Sequence, residues 1–147
     1  MLIQKTKFFL QLIAIAHITG GILLPFLVNT SLFRTYNTLV YQALGFDTAS
    51  ANPEINFLIG LFGPTIASWG VLFLYVVTSA FRNLDQKGWW AIFLCCLAWA
   101  PYDSLLSIQK GIYVNALVNL ISALAILTPL FVVRKYFFNT EKPQIDG

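Results

Sequence analysis

The sequence predicts an all-α integral membrane protein: a transmembrane antiparallel four-helix bundle with a short amphipathic helix in the outer first loop. Three observations carry this. Hydrophobic residues make up 58% of the 147 and charged residues only 10%, with a mean hydropathy of +0.73, whereas a soluble domain is roughly a quarter charged. Four apolar blocks, at residues 8–28, 56–81, 89–108 and 112–133, are each long enough to cross a hydrocarbon core of about 30 Å at 1.5 Å per residue. The cations segregate between the two ends of the blocks: Lys5, Lys7, Arg82, Lys87, Arg134, Lys135 and Lys142 fall on one side, and Arg34 and Lys110 on the other. The lysine- and arginine-rich side is the cytoplasmic one. The chain is therefore expected to be a single multi-pass domain of a bacterial-type cytoplasmic membrane, with both termini inside. A net charge of +3 is accounted for by this asymmetry and gives no reason to expect a nucleic-acid partner.

The first block follows Lys5 and Lys7, runs about twenty residues and lacks a small-x-small cleavage site before Asn29, so it reads as a retained span and not a signal peptide. In the segment after it, Leu32, Phe33, Tyr36, Leu39, Val40 and Leu44 recur with helical spacing. Ser31 is the expected N-cap and Gly45 the expected terminating glycine. This helix, residues 31–44, is expected in the outer interface, with Phe33, Tyr36 and Tyr41 at interfacial depth, acting either as a spacer or as a lid. Residues 46–53 read as an irregular loop.

The second block carries Gly60, Gly63, Ala67 and Gly70 on one stripe, a device for close helix approach, and Gly20 and Gly21 form a matching patch on the first. Pro64 frees a backbone carbonyl that Thr65 or Ser68 is expected to satisfy. In the third block Cys95 and Cys96 are adjacent and so lack C-x-x-C redox spacing; they read as small buried hydrophobes. A single histidine excludes bis-histidine haem within one chain, and no residues have metal-ligand spacing, so neither a metal nor a cofactor is expected.

Asp103 is the acidic residue inside a candidate span, where a carboxylate costs at least about 2.5 kcal/mol. Trp99, Asp103, Ser107, Gly111, Asn115 and Asn119 recur every fourth residue across the third and fourth blocks. If the helices fold back at Gly111, Asp103 lies about 7 Å below the turn, between Asn115 at about 5 Å and Asn119 at about 10 Å. The candidate ligand-binding residues are therefore Asp103, Asn115, Asn119, Ser107 and Trp99, together with His17, about 9 Å deeper than Asp103 by the same arithmetic. Left to itself, His17 is expected to pair with Thr65 or Ser68. Two readings of the constellation stand open: a buried clamp fixing the helical hairpin, and a polar pocket beneath the outer loop.

The run W-x-P-x-D-S-x-x-S-x-x-x-G-x-Y-x-N-x-x-x-N from Trp99 to Asn119, with Thr128-Pro129-Leu130 and with Gly63-Pro64-Thr65 preceding Ser68-Trp69-Gly70, resembles a family of small bacterial four-helix membrane proteins. The resemblance implies the four-helix fold and brings no activity with it. The overall plan is also similar to the EXPERA and DoxX-like families, but the acidic residue that EXPERA proteins carry in the second span is missing here, and no sites transfer.

Three functions follow from these residues. The foremost is a non-catalytic binder of a small amphipathic or lipid-like ligand, or an accessory subunit of a larger membrane complex. The second is a homodimeric proton- or cation-coupled transporter of small molecules. The third is an enzyme acting on a lipid or isoprenoid, with Asp103 and His17 as acid and base; their separation in depth weighs against it.

Overall fold

A computed structural model describes residues 1–48 and 52–138, so Lys142, the C-terminus and the middle of the 46–53 loop lie outside the described residues. All regular structure among the described residues is helical: α1 Leu2–Leu27, α2 Arg34–Leu44, α3 Pro53–Asn83, α4 Gln86–Gln109, α5 Tyr113–Val132 and α6 Arg134–Phe138, with a 3-10 turn at Ser31–Phe33 before α2. Four of these, α1, α3, α4 and α5, are long and apolar enough to cross a membrane. The expected spans correspond to them. α1 begins at Leu2, ahead of the apolar block, because Lys5 and Lys7 are good helix formers and nothing near them breaks the helix. At 31 residues α3 is about 46 Å long, more than a hydrocarbon core needs. Asn52 caps its start, accepting from Ile55 N at 3.0 Å, and Asp85 caps α4, accepting from the backbone of Lys87 and Gly88.

The most extensive packing joins α1 to α3, then α4 to α5, with a thinner join between α3 and α4. Small residues explain the first pair. A Cβ on Gly70 would sit 2.8 Å from Ile18 N and 2.9 Å from Ala14 O, and one on Gly21 would collide with Ala67 N and Gly63 O, so the two backbones touch. Gly20 has nothing within 4 Å. The expected α1 patch is therefore Gly21 alone, because a neighbouring helix position points about 100° away. Thr65 and Ser68 are exposed and make no hydrogen bond among the described residues, so neither satisfies the carbonyl freed by Pro64 as expected. Of the two cysteines, Cys96 is buried, whereas Cys95 is exposed, contrary to expectation, for the same angular reason.

An apolar core fills the end of the molecule that holds α6. It contains Leu10, Ala14, Phe73, Val77, Phe81, Trp89, Ile92, Cys96, Ile126, Leu130 and Phe137. The indole of Trp89 donates to Leu130 O at 3.1 Å, and Phe137 stands edge-on to Phe81 at 5.1 Å.

α2 occupies the opposite end. Its boundaries fall close to expectation and Gly45 terminates it at φ +77°, but two expectations fail. Ser31 is not the N-cap: it opens the 3-10 turn, because Thr30 donates its hydroxyl to Leu27 O at 2.6 Å and turns the chain one residue earlier. The buried face is Asn37, Val40 and Tyr41, while Leu32, Leu39 and Leu44 are exposed. Hydrogen bonds set this rotation. Asn37 Nδ2 donates to Val28 O at 2.7 Å, and the Tyr41 hydroxyl donates to Asn56 Oδ1 and accepts from Asn52 N. Tyr41 is accordingly a buried tether and not an interfacial side chain.

Candidate functional site

The α4–α5 turn positions the polar cluster. Gly111 adopts φ +74°, a backbone region that only glycine enters freely, and the Ile112 amide donates to Ser107 O at 2.8 Å. This tight reversal sets the two helices side by side in the register expected from their depths. Asn119 Nδ2 donates to Asp103 Oδ2 at 2.8 Å and lies 3.4 Å from Ser104 Oγ. Asn115 Nδ2 donates to Ser107 Oγ at 2.7 Å and reaches Asp103 Oδ2 at 3.3 Å. Asp103, Ser107, Asn115 and Asn119 thus converge as expected, and Ser104, outside the four-residue ladder, joins them.

Both amides land on the same carboxylate oxygen. Oδ1 of Asp103 accepts no hydrogen bond from the described residues and is not fully enclosed, and no cation among them pairs with it. The side chain is half-buried.

Trp99 and His17 stand apart from this cluster. Trp99 lies one turn from Asp103 and meets Trp69 of α3 at 6.1 Å between ring centroids; His17 packs on Trp69 at 4.7 Å. Trp69 is also stacked on Phe73 at 4.8 Å. His17 does not pair with Thr65 or Ser68. Its Nδ1 donates to Ile13 O at 2.8 Å, the acceptor one turn back on its own helix, which fixes the proton on Nδ1 and leaves Nε2 as the outer ring nitrogen. Trp69 was not anticipated; it stands next to Gly70 at the edge of the small-residue stripe, where its ring reaches both His17 of α1 and Trp99 of α4.

The α3–α4 join is thinner than the α1–α3 and α4–α5 joins. A Cβ on Gly88 would run into the Ala80 side chain, so the helices touch near their junction. At mid-length Trp69 and Trp99 are in ring contact. Phe62 lies about five turns from Ala80, and Leu106 about five turns from Gly88, so both should occupy the contact faces. They are 65% and 46% exposed. Each helix carries a proline between these levels, Pro64 or Pro101, and each proline removes a backbone hydrogen bond that would hold its helix straight. Beyond the Trp69–Trp99 contact the α3–α4 face is open beside exposed Phe62 and Leu106, and Asp103 lies on the α4 side of this cleft, one turn from Trp99.

α2 bridges the cleft's two walls. Asn37 and Tyr41 attach it to the ends of α1 and α3, while Ala43 lies against Gly111 at the α4–α5 turn. Tyr36 is held above the usual phenolic pKa, first by burial and then by the negative charge of Asp103, so its hydroxyl lies within that carboxylate's field. Two grooves follow other helix seams. One, of about 450 Å3, follows the α4–α5 seam past Ala100, Pro101, Ser104, Ala116 and Ala123; the other, of about 400 Å3, lies between α1 and α3 beside Asn29, Asn56 and Pro64. Chemically, the arrangement offers an anionic acceptor, two amides and two hydroxyls at the head of an aromatic and aliphatic cleft. No family model, curated protein or solved structure matches this chain.

Proposed function

We propose that the protein is a multi-pass membrane protein, an antiparallel bundle with both termini on the cytoplasmic side and α2 at the outer face, that binds a small amphipathic, lipid-like ligand in the α3–α4 cleft. The observation that carries this reading is the exposure of Phe62 and Leu106 on faces that should be in contact, beside a half-buried Asp103 with an oxygen that no described residue engages. Binding sites of this type combine a mostly apolar wall with a few convergent polar groups. An intramembrane carboxylate is by default a functional group. The orientation is supported by the cations: Lys5, Lys7, Arg82, Lys87, Arg134 and Lys135 belong to the α6 end, and Arg34 and Lys110 to the α2 end.

Two experiments test this. A reporter fused after Gly147 is expected to read as cytoplasmic and one inserted near Ala49 as external; the reverse would overturn the topology. A diazirine-bearing fatty alcohol should label the cleft saturably, with adducts on α3 and α4 near Phe62, Trp99 and Leu106. Adducts spread evenly over the exposed apolar residues of all four long helices would overturn the binding site.

A further inference from the structure

We infer that the ligand of this cleft carries an ammonium group, seated against the Asp103 carboxylate with its apolar chain running between α3 and α4; this rests on the cleft being a ligand site. The cluster has an unmatched charge. Asn115 and Asn119 are neutral donors and both engage Oδ2, so they orient the carboxylate without neutralising it, while Oδ1 has no donor among the described residues. Arg34 and Lys110, the cations belonging to this end, are exposed and form no ion pair with Asp103.

A carboxylate at the edge of a span is costly unless a countercharge accompanies it. An ammonium supplies that countercharge and also the donor that Oδ1 lacks. An anionic headgroup would meet like charge, and a neutral hydroxyl would leave the charge uncompensated. The surroundings suit a cation as well: Trp99 lies one turn away with Trp69 against it. Aromatic rings at such a site attract ammonium through their quadrupoles. The apolar part of the ligand is assigned to the exposed Phe62 and Leu106 side chains, a setting too hydrophobic for a small hydrated amine. Two sources share this chemistry, a free long-chain amine and the ammonium of a phosphatidylethanolamine headgroup.

The full chain in a neutral sugar detergent, photolabelled with the fatty alcohol diazirine, is challenged with decylammonium, decanol and decanoate. Decylammonium is expected to displace the label at a concentration at least about tenfold lower than decanol, with decanoate weakest. The preference should collapse in Asp103→Asn and persist in Asp103→Glu, each checked for an unchanged thermal midpoint. If Asp103→Asn fails to fold, the ratio in the unaltered protein and in Asp103→Glu decides. Equal displacement by all three compounds would overturn the ammonium inference while leaving the cleft as a ligand site. Absence of saturable labelling in the cleft would overturn both. Added phosphatidylethanolamine distinguishes the sources: displacement by it assigns the lipid headgroup, and displacement by decylammonium alone assigns a free amine.

Discussion

The two ends of the molecule are built on opposite principles. At the α6 end, helices α1, α3, α4 and α5 close on large apolar side chains, and Trp89, 1% exposed, touches Phe93, Phe131 and Phe138 while its ring nitrogen is satisfied by Leu130 O. At the α2 end lie four of the five buried polar side chains among the described residues, Asn37, Asn56, Ser107 and Asn119, and Phe62 of α3 and Leu106 of α4 are exposed. Connection there runs through hydrogen bonds: Asn119 to Asp103, Asn115 to Ser107, Asn37 to Val28, Tyr41 to Asn56. One end obtains its stability from packing, which tolerates no gap. The other is held by a few directional bonds, and these fix geometry while leaving space between the helix pairs. Asn37 even retains a buried carbonyl oxygen without a partner, a cost that close apolar packing avoids.

The difference predicts a descending series of effects. Trp89→Ala should be the most damaging, at about 3–5 kcal/mol, because it leaves a large void in the packed end. Reversible denaturation in detergent measures it, and a loss under about 1 kcal/mol would mean that the α6 end is not a packed core. Next, Asp103→Leu should cost about 1–3 kcal/mol by stranding the amides of Asn115 and Asn119, whereas Asp103→Asn, which keeps an acceptor, should cost less. Equal stability of the leucine variant and the unaltered protein would show that the polar cluster locks nothing.

A smaller effect is expected at the tether. Tyr41→Phe removes the bonds to Asn56 and Asn52 and should cost about 0.5–1.5 kcal/mol. Labelling with an impermeant thiol reagent reads the same change. Cysteines at Thr35 and at Leu44, 40% exposed, should react, and one at buried Val40 should not until Tyr41 is replaced. Reaction at Val40 in the unaltered background would place α2 away from the bundle. The smallest effect is one of pH. Tyr36 has a raised pKa, so the folded state favours the protonated phenol. The stability it contributes is therefore full below pH 10 and lost as pH rises through the raised value. Tyr36→Phe should remove that alkaline component from the pH dependence of the thermal midpoint, and an unaltered alkaline limb would separate Tyr36 from the field of Asp103.

Much of the architecture was legible in the sequence because hydrocarbon imposes local rules. Each span has to satisfy its backbone within one helix and extend over about twenty apolar residues, so length and hydropathy alone located α1, α3, α4 and α5. The meeting of Asp103 with Asn115 and Asn119 was legible too. α4 and α5 are consecutive and joined by a tight turn at Gly111, so a fixed rise per residue sets relative depth on both. The close approach of α1 and α3 was legible in their glycines, but the other contacts between non-consecutive elements were not. The rotation of α2 toward Asn37 and Tyr41, the packing of His17 on Trp69, and the cleft between Phe62 and Leu106 were decided by the tertiary structure. In water, an apolar stripe marks the buried face of a helix. In a bilayer, apolar side chains are equally at home outside and inside, so leucine and phenylalanine cease to report which face is which, and only small residues and hydrogen-bond partners distinguish them.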